Sequence, residues 1–277
     1  MITALDHVAL IVRDLPAATA QYSALLGCKP NWHGGDGGAE HVWFQLDNMA
    51  LDIICPTGPG FTGDMARAHL DAHGEGIWAF AYATPDLDAC HKLLTRRGVK
   101  ATDPHPLRST HIETKDKRYW RMFSTAFAGV NTFLIEQKPD DKPWPRSAME
   151  TPSGVTALDH VVVRTAAPDR ALANYGAKLG LDLRLDRTAP EWNARLMFFR
   201  CGDMIVEVAH DPKAGVSDAP DSPWGFTWRT GDIDAAHARI SAAGVNVSGI
   251  RKGRRDGTRV FTVRDGTCGV PTLLIGI

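Results

Sequence analysis

The N-terminal residues change from a mainly apolar stretch to a helical pattern. Residues 4–12 are apolar and rich in β-branched side chains, which predicts a strand. Asp14 and Pro16 then predict a helix start, because aspartate caps free N–H groups and proline is tolerated in the first turn. Apolar residues recur at helical spacing up to Leu26, and Gly27 predicts the helix end. Further strands are predicted at 29–32, 41–46 and 49–55, so this module has the order β-α-β-β-β.

The chain repeats this module. Residues 3–8, Thr-Ala-Leu-Asp-His-Val, recur letter for letter at 156–161, and residues 86–91 and 129–135 parallel 232–237 and 269–275. Four βαβββ modules follow, at 4–55, 77–136, 158–210 and 224–277. We therefore predict an α+β protein of two domains, 1–138 and 155–277, with two modules in each. Residues 139–154 are rich in proline and charge, which is typical of a linker.

Composition and charge narrow the range of partners. The chain of 277 residues is 44% hydrophobic and 23% charged, with a formal net charge of −1, so nucleic acid and anionic membranes are not expected as partners. The five cysteines are scattered without a CxxC pair, which favours a reducing compartment. Since no signal peptide or apolar run of roughly 20 residues is present, we expect a soluble cytoplasmic protein.

Four short motifs resemble a known family. They are the strand Leu-Asp-His-Val at 5–8, the helix start Asp-Leu at 14–15, the helix end Leu-Gly at 26–27, and the strand Phe-Leu-Ile-Glu at 133–136. Together they resemble the vicinal oxygen chelate superfamily, which includes glyoxalase I, extradiol dioxygenases, methylmalonyl-CoA epimerase and the bleomycin resistance proteins. The resemblance implies paired modules that form glyoxalase-like domains with cupped mixed β-sheets.

The resemblance also implies a metal site in the N-terminal cup. In that superfamily the ligands come from the first strand of each module, usually His, and from the last strand, usually Glu. This implies His7, Cys55 and Glu136 as ligands for zinc, nickel, manganese or iron, with Glu136 also as the catalytic residue. Ala79 stands where a second histidine is expected.

The C-terminal cup offers fewer donors. The resemblance implies His160 and His210 there, but Gly225 and Gly276 stand at the other two ligand positions. Neither cup has the complete His, His, Glu triad of a ring-cleaving dioxygenase. The N-terminal cup is therefore favoured as the functional one.

Additional metal donors, and structural roles for the implied ligands, remain open. His41, His111 and Glu113 could supplement the implied ligands. A histidine in an apolar strand is by default a hydrogen-bonded structural residue, and Cys55 could simply be a small buried hydrophobe. Likewise, Glu136 could be the exposed last residue of its strand.

Aromatic residues are concentrated in the first half, where they could form core or line a site for a planar or apolar ligand. An arginine beside them could receive a carboxylate. The candidate substrate-binding residues are Trp43, Trp78, Tyr119, Trp120 and Arg121.

Three kinds of function are compatible with this sequence. The first, which we favour, is a metal-dependent lyase, isomerase or dioxygenase acting on a small organic substrate. The second is a metal-free binding or sequestering protein of the bleomycin-resistance type. The third is a structural or regulatory protein in which one half completes the fold or a homodimer. The number of metal donors inside one cup separates the first two.

Overall fold

The computed structural model of the chain describes residues 1–127, 129–137 and 144–276. Its first half contains three helices and eight strands. They are β1 (Ala4–Ile11), α1 (Leu15–Leu26), β2 (Trp32–Asp36), β3 (Ala39–Gln45), β4 (Ala50–Pro56), α2 (Phe61–His73), β5 (Gly76–Ala83), α3 (Leu87–Arg96), β6 (His105–His111), β7 (Lys117–Phe127) and β8 (Val130–Gln137). No helix in the described ranges is long and apolar enough to cross a membrane.

The second half repeats the order of the modules, but a short 3₁₀ turn at Pro212–Ala214 stands in place of α2, and another lies at Pro190–Trp192. Its elements are β9 (Val155–Arg164), α4 (Pro168–Ala171, continuing as a π-helix over Leu172–Lys178), β10 (Asp182–Ala189), β11 (Ala194–Cys201), β12 (Met204–His210), β13 (Ser222–Thr230), α5 (Ile233–Ala242), β14 (Arg251–Lys252), β15 (Arg259–Val263) and β16 (Thr272–Gly276). The predicted α+β fold with repeated modules is confirmed.

Two local predictions differ from the structure. The second strand begins at Trp32, so the expected strand at 29–32 is wrong; Pro30 lies there, and proline lacks the N–H that a sheet ladder needs. Helix α2 was not predicted. It buries only three residues, Gly63, Ala66 and Leu70, and two of them are small, so its apolar pattern is weak.

The first eight strands close into a barrel in the order β1-β4-β3-β2-β6-β7-β8-β5. In each module the first and last strands are parallel, β1 beside β4 and β5 beside β8. The modules join along the antiparallel pair β1–β5. The barrel closes between β2 and β6, where Gly34 and Gly35 pair with His111 and Thr110. The cupped mixed sheet expected from the resemblance is therefore closed on itself in this half.

The last eight strands form an open sheet in the order β10-β11-β12-β9-β13-β16-β15-β14. Its modules join along the antiparallel pair β9–β13, which matches β1–β5 in the first half. The edge strand β14 has two residues, and the other edge strand, β10, is largely exposed. This cup is accordingly wider open to solvent than the barrel.

Three helices begin with the same aspartate cap. The side chains of Asp14, Asp86 and Asp232 each accept a hydrogen bond from the backbone N–H three residues later, at 2.8–2.9 Å. These bonds satisfy donors that a helix start leaves free. At the other end of α1, Gly27 has φ 73°, the left-handed conformation that glycine adopts without strain. Both features of α1 were predicted and are confirmed.

Strand alternation separates two environments on β5. Phe80 and Tyr82 are fully buried in the core between the sheets and the helices. Ala79 and Ala81 point to the other face, into the barrel, where Ala81 packs with Met122. Small residues on the inner face leave space inside the barrel.

Two arginines connect helix ends across the halves. Arg239 on α5 donates to the carbonyls of Ala24 and Leu25 near the end of α1. Arg97, directly after α3, donates at 2.7 Å to the carbonyl of Lys178 at the end of the π-helix. Helix ends leave such carbonyls without intrahelical partners. The halves thus satisfy backbone groups of each other in corresponding places.

Part of the predicted linker packs on the barrel. Trp144 stacks on Trp43 with ring centroids 4.8 Å apart and meets Trp32 edge-on at 5.3 Å. The Arg118 guanidinium lies 3.9 Å from the centroid of Trp144. Residues 139–143 of the predicted linker lie outside the described residues. In the rest of this segment, Trp144 forms an aromatic cover on the barrel.

Candidate functional site

The interior of the N-terminal barrel contains a cavity of about 450 Å³. Most of its wall is apolar. The apolar side chains on the wall include those of Ala9, Ile54, Trp78, Leu107, Trp120, Met122, Phe133 and Ile135. Such a volume and lining are typical of sites for small organic molecules.

The cavity has a buried polar end and an exposed opening. His7, His41, Asp52 and Ser109 line the polar end and are largely shielded from solvent. At the opening, Phe61 and Met65 of α2 are 70% and 44% exposed. Cationic and polar residues also line this cavity, among them Lys100, His105 and Arg108.

A continuous hydrogen-bonded chain crosses the polar end. His41 Nδ1 lies 2.6 Å from Asp52 Oδ1, and His41 Nε2 lies 2.7 Å from Ser109 Oγ. The indole N–H of Trp32 donates to the same Ser109 oxygen at 2.8 Å. An indole N–H can only donate and a carboxylate can only accept. In neutral His41 the proton therefore lies on Nδ1, facing Asp52, and Nε2 is then the acceptor for the Ser109 hydroxyl.

These four residues come from four neighbouring strands. On the antiparallel pair β3–β4, His41 pairs with Ile54, so Asp52 is its diagonal neighbour on the inner face. Trp32 on β2 and Ser109 on β6 face each other across the closure of the barrel. Closing the barrel is what brings the serine to the histidine.

Gly34 makes room for this contact. A Cβ at this position would lie 2.3 Å from Trp32 Nε1 and 2.4 Å from Ser109 Oγ. Both distances are far below those that real Cβ atoms show, so a side chain here would displace the indole or the hydroxyl.

His7 completes the polar end. Its Nδ1 lies 2.8 Å from Asp6 Oδ1, and its ring centroid lies 4.8 Å from that of Trp43. Since Asp52 pairs with Ala9, His7 is a diagonal neighbour of Asp52 on the inner face. Trp43 and Trp144 then close this end of the barrel from outside the cavity.

The implied ligands His7, Cys55 and Glu136 are not brought together. Ile54 faces the cavity, so Cys55 points the opposite way, where its Sγ contacts the carbonyl of Arg13. Burial raises the pKa of the Cys55 thiol, which disfavours the thiolate that metals require.

Glu136 likewise points away from the barrel, because its neighbour Ile135 faces the cavity. It accepts hydrogen bonds from the backbone N–H of Leu87, at 3.0 Å, and from Arg121, at 3.2 Å. The carboxylate caps α3, which is a structural role. The structure therefore places Glu136 outside the cup, and its catalytic role stays a prediction.

The candidate substrate-binding residues divide by strand face. Trp78 and Trp120 line the cavity, whereas Trp43 lies behind its polar end. Tyr119 is 44% exposed, and Arg121 pairs with Asp88 and Glu136 on the outer surface. Because Trp120 faces inward, its two neighbours on β7 cannot do so.

The supplementary donors also separate. His41 is at the centre of the polar end, but His111 packs its ring on Trp32 and accepts backbone hydrogen bonds from Glu113 and Thr114. Glu113 itself is exposed. Its side chain therefore lies outside the polar end.

The C-terminal cup contains a smaller polar group. His160 lies 2.8 Å from Asp159 and 3.5 Å from Glu207. Burial raises the pKa of Glu207, although His160 acts in the opposite direction. His210 points away and contacts the carbonyl of Thr165, at 3.1 Å.

The same register relates the two halves. His7 pairs with Ala50 and His160 pairs with Ile205, so Asp52 and Glu207 hold equivalent positions. In each half, the last-strand residue that faces the cup is therefore a carboxylate, Asp52 or Glu207. It lies three residues before the position inferred from the sequence. Cys55 and His210 correspond to each other, as expected, but on the outer face.

A family comparison identifies this architecture. Residues 5–180, more than half of the chain, match the model described as "Glyoxalase-like domain". The chain belongs to the glyoxalase-like domain family. Residues 159–262 of this glyoxalase-like protein match the model "Glyoxalase/Bleomycin resistance protein/Dioxygenase superfamily". The resemblance to the vicinal oxygen chelate superfamily is thereby confirmed. A comparison with curated proteins gives no significant match.

Solved structures share the fold of this glyoxalase-like chain. A 4-hydroxymandelate synthase variant from Streptomyces coelicolor is 15% identical with a TM-score of 0.72, covering 100% of this chain and 93% of its own. The Mn(II)-bound glyoxalase from Novosphingobium aromaticivorans is 15% identical with a TM-score of 0.64, covering 99% of this chain and 82% of its own. A hypothetical protein from Staphylococcus aureus is 9% identical with a TM-score of 0.66, covering 99% of both chains.

The donor set of this glyoxalase-like protein does not fit the implied metal. Within the three described ranges, no group of three or more His, Cys, Asp or Glu side chains is placed to hold an ion. Two inner-face positions of the second module carry Trp78 and Phe133, whose rings meet edge-on at 5.2 Å. His7, His41 and Asp52 remain as donors on the first module, but His41 and Asp52 are already bonded to each other.

Sequence reasoning missed Asp52 and Ser109. A usable signal existed for Asp52, since an ionisable residue in an otherwise apolar strand needs a buried partner. His41 is the nearest candidate, because it lies at the corresponding phase of the preceding strand. No comparable signal existed for Ser109, whose contact depends on how β6 meets β2.

Proposed function

We propose that the N-terminal barrel is the active site of an enzyme that holds a small, mainly apolar organic molecule and moves a proton on it through His41. The proposal rests on one observation, the chain Asp52–His41–Ser109 at the buried end of an otherwise apolar cavity. A histidine whose Nδ1 is held by a carboxylate presents its Nε2 in a fixed orientation, and the Ser109 hydroxyl on Nε2 relays the proton between His41 and the bound molecule. The surrounding apolar wall excludes water from the transfer.

Deuterium exchange tests this proposal directly. A panel of aryl alkyl ketones would be incubated with the full chain in D₂O, and exchange of the protons beside the carbonyl followed by NMR. We expect at least one ketone to exchange faster than in buffer, with His41→Gln lowering the enzymatic rate by about 10²–10⁴-fold. An exchange rate that His41→Gln leaves unchanged would remove His41 from the proposed role.

A pair of tryptophan substitutions, one inside the cavity and one outside it, tests whether the reaction takes place in the cavity. Ala101→Trp places a bulky ring at a half-buried position on the cavity wall, whereas Ala243→Trp places it on the exposed surface beyond α5. We expect the first substitution to abolish exchange and the second to leave it unchanged. Equal exchange rates in the two variants would place the reaction outside the barrel.

A second function is a metal-free binding or sequestering protein. The edge-on contact between Trp78 and Phe133 favours it, because these rings fill the inner face of the second module, and Ala79, at the expected position of the second histidine, has no donor atom. Saturable quenching of tryptophan fluorescence by the same ketones, with no exchange in any of them, would support this function over catalysis. Zinc, nickel, manganese or iron in protein purified without chelator, lost in His7→Ala, would support the metalloenzyme reading instead.

A further inference from the structure

Ser109 combines three features of an activated hydroxyl. Its Oγ lies 2.7 Å from Nε2 of a histidine that is itself bonded to a carboxylate, it accepts from an indole N–H, and it lines an apolar cavity. We propose that Ser109 is a nucleophile and that the barrel hydrolyses small carboxylic esters with an apolar acyl group. This inference rests on the proposed function, because it uses the same cavity and the same His41.

The geometry follows the roles of an activated serine. Nucleophile and base must lie within hydrogen-bonding distance, about 2.6–3.2 Å, and a third group must orient the base. Ser109 Oγ and His41 Nε2 are 2.7 Å apart, and Asp52 holds the opposite nitrogen at 2.6 Å. Such arrangements are recognised by geometry and role, since they recur on unrelated folds. Asp52 is here a positioning residue that fixes the tautomer of His41.

Trp32 contributes a second kind of activation. As the Ser109 proton moves to His41, negative charge develops on Oγ. The indole N–H at 2.8 Å already points at that atom, and a hydrogen bond to a charged oxygen is stronger than one to a neutral oxygen. Ser109 is 1% exposed, so little solvent competes for this charge.

The reaction balances with water as the second reactant. Ser109 Oγ forms a bond to the acyl carbon while its proton passes to His41 Nε2. The bond from the acyl carbon to the alkoxy oxygen breaks, and the alcohol leaves with that proton. Water then attacks the acyl carbon and gives a proton to His41. The bond from the acyl carbon to Ser109 Oγ breaks, Oγ takes the proton from His41, and the carboxylic acid leaves. No oxidant or reductant takes part.

The lining and the volume of the cavity indicate the size and polarity of the acyl group. Trp78, Met122 and Phe133 offer apolar and aromatic contacts, and Trp120 lies on the same cavity wall. A volume of about 450 Å³ lies toward the lower end of the range for small-molecule sites. Aryl and short branched acyl groups therefore fit better than long chains.

A fluorophosphonate probe tests the nucleophile without knowledge of the natural ester. An alkyl fluorophosphonate forms a bond from phosphorus to the serine oxygen and loses fluoride, while the hydroxyl proton goes to the base. Intact-mass spectrometry of the full chain would measure the stoichiometry and rate, and peptide mapping would locate the adduct. We expect one adduct, on Ser109, with a labelling rate about 10²–10⁴-fold lower in His41→Gln.

The controls separate chemistry from folding. Ser109→Ala is expected to lose the adduct, and Ser241→Ala, which removes an exposed hydroxyl of α5, is expected to retain it. Ser124 is an internal control, because its hydroxyl also lines the cavity but lies 3.3 Å from Thr102 rather than beside a histidine. Should Ser109→Ala fail to fold, the adduct position in the wild-type chain still decides.

The outcomes distinguish this inference from the proposed function. No adduct, or an adduct on Ser124 or elsewhere, overturns the nucleophile. Ketone exchange that depends on His41, without an adduct on Ser109, keeps the proton-transfer function and removes only the ester hydrolysis. An adduct on Ser109 without ketone exchange supports the hydrolase and removes the proton transfer to carbon.

Discussion

The Cβ that Gly34 lacks would lie 2.4 Å from the Oγ of Ser109. This close approach occurs at the closure of the barrel, where β2 and β6 share a short contact. The hydroxyl and the Trp32 indole meet in the space that a side chain would fill. The absence of one methyl group thus permits both the closure and the buried hydrogen-bonded chain.

Gly34→Ala is expected to lower the free energy of unfolding by about 1–3 kcal/mol, because the added methyl overlaps the Trp32–Ser109 contact. It is also expected to slow fluorophosphonate labelling. Urea denaturation measures the first effect. Gly58→Ala is the matched control, since a Cβ there meets nothing within 4 Å. We expect Gly58→Ala to keep or raise the free energy of unfolding, and equal losses in both variants would contradict the steric explanation.

The contact between the halves gives a second prediction. Arg239→Ala leaves the carbonyls of Ala24 and Leu25 without this donor, and an unpaired buried polar group costs about 1–3 kcal/mol. Arg97→Ala removes one corresponding bond, to the carbonyl of Lys178. We expect a clear loss of stability in both variants and the larger loss in Arg239→Ala, by urea denaturation. Unchanged midpoints would mean that water replaces the guanidinium at no cost.

How far the sequence predicts the site depends on the range of the contacts. His7 follows from a local motif, and its inward direction follows from strand alternation. Glu136 is equally local, but a shift of one residue along β8 decides between cup and helix cap, and sequence periodicity did not resolve it. The module order and helix caps were predictable because each depends on neighbouring residues. Ser109 was not, because it meets His41 across 68 positions of chain and through a barrel closure.

The C-terminal cup gives a prediction about acid stability. Burial acts to raise the pKa of Asp159, but hydrogen bonds from His160 and Arg229 bring it down to about 2. A carboxyl whose pKa is lower in the folded state stabilises the protein above its ordinary pKa, and this contribution is lost as the pH falls towards 2. We expect the free energy of unfolding of wild type to exceed that of Asp159→Asn at pH 6, with the difference shrinking between about pH 4 and 2.

Glu207→Gln is the control with the opposite sign. Burial raises the pKa of Glu207, so its charged form opposes folding as the pH rises above its ordinary value. The difference between wild type and Glu207→Gln should therefore move against the wild type from pH 4 to 6. Urea denaturation from about pH 2 to 6 covers the transitions expected for both variants. Parallel pH dependences for the two substitutions would contradict the assigned causes.

Trp144 gives the last prediction, on the aromatic cover of the barrel. Its ring stacks on Trp43 at 18° between planes, meets Trp32 edge-on and receives the Arg118 guanidinium. Aromatic pairs contribute about 0.5–1.5 kcal/mol beyond buried area, so Trp144→Ala is expected to lower the free energy of unfolding by about 2–3 kcal/mol.

Trp224→Ala is the comparison for Trp144→Ala, because Trp224 is 38% exposed and also receives an arginine, Arg164, at 4.4 Å. An exposed cation–π contact contributes about 0.5–1 kcal/mol, so a smaller loss is expected there. Trp144→Phe should recover much of the stability, because a phenyl ring can still stack on Trp43. Equal losses in Trp144→Ala and Trp224→Ala would mean that the stacked tryptophans add nothing beyond a surface contact, and that the segment around Trp144 is held in some other way.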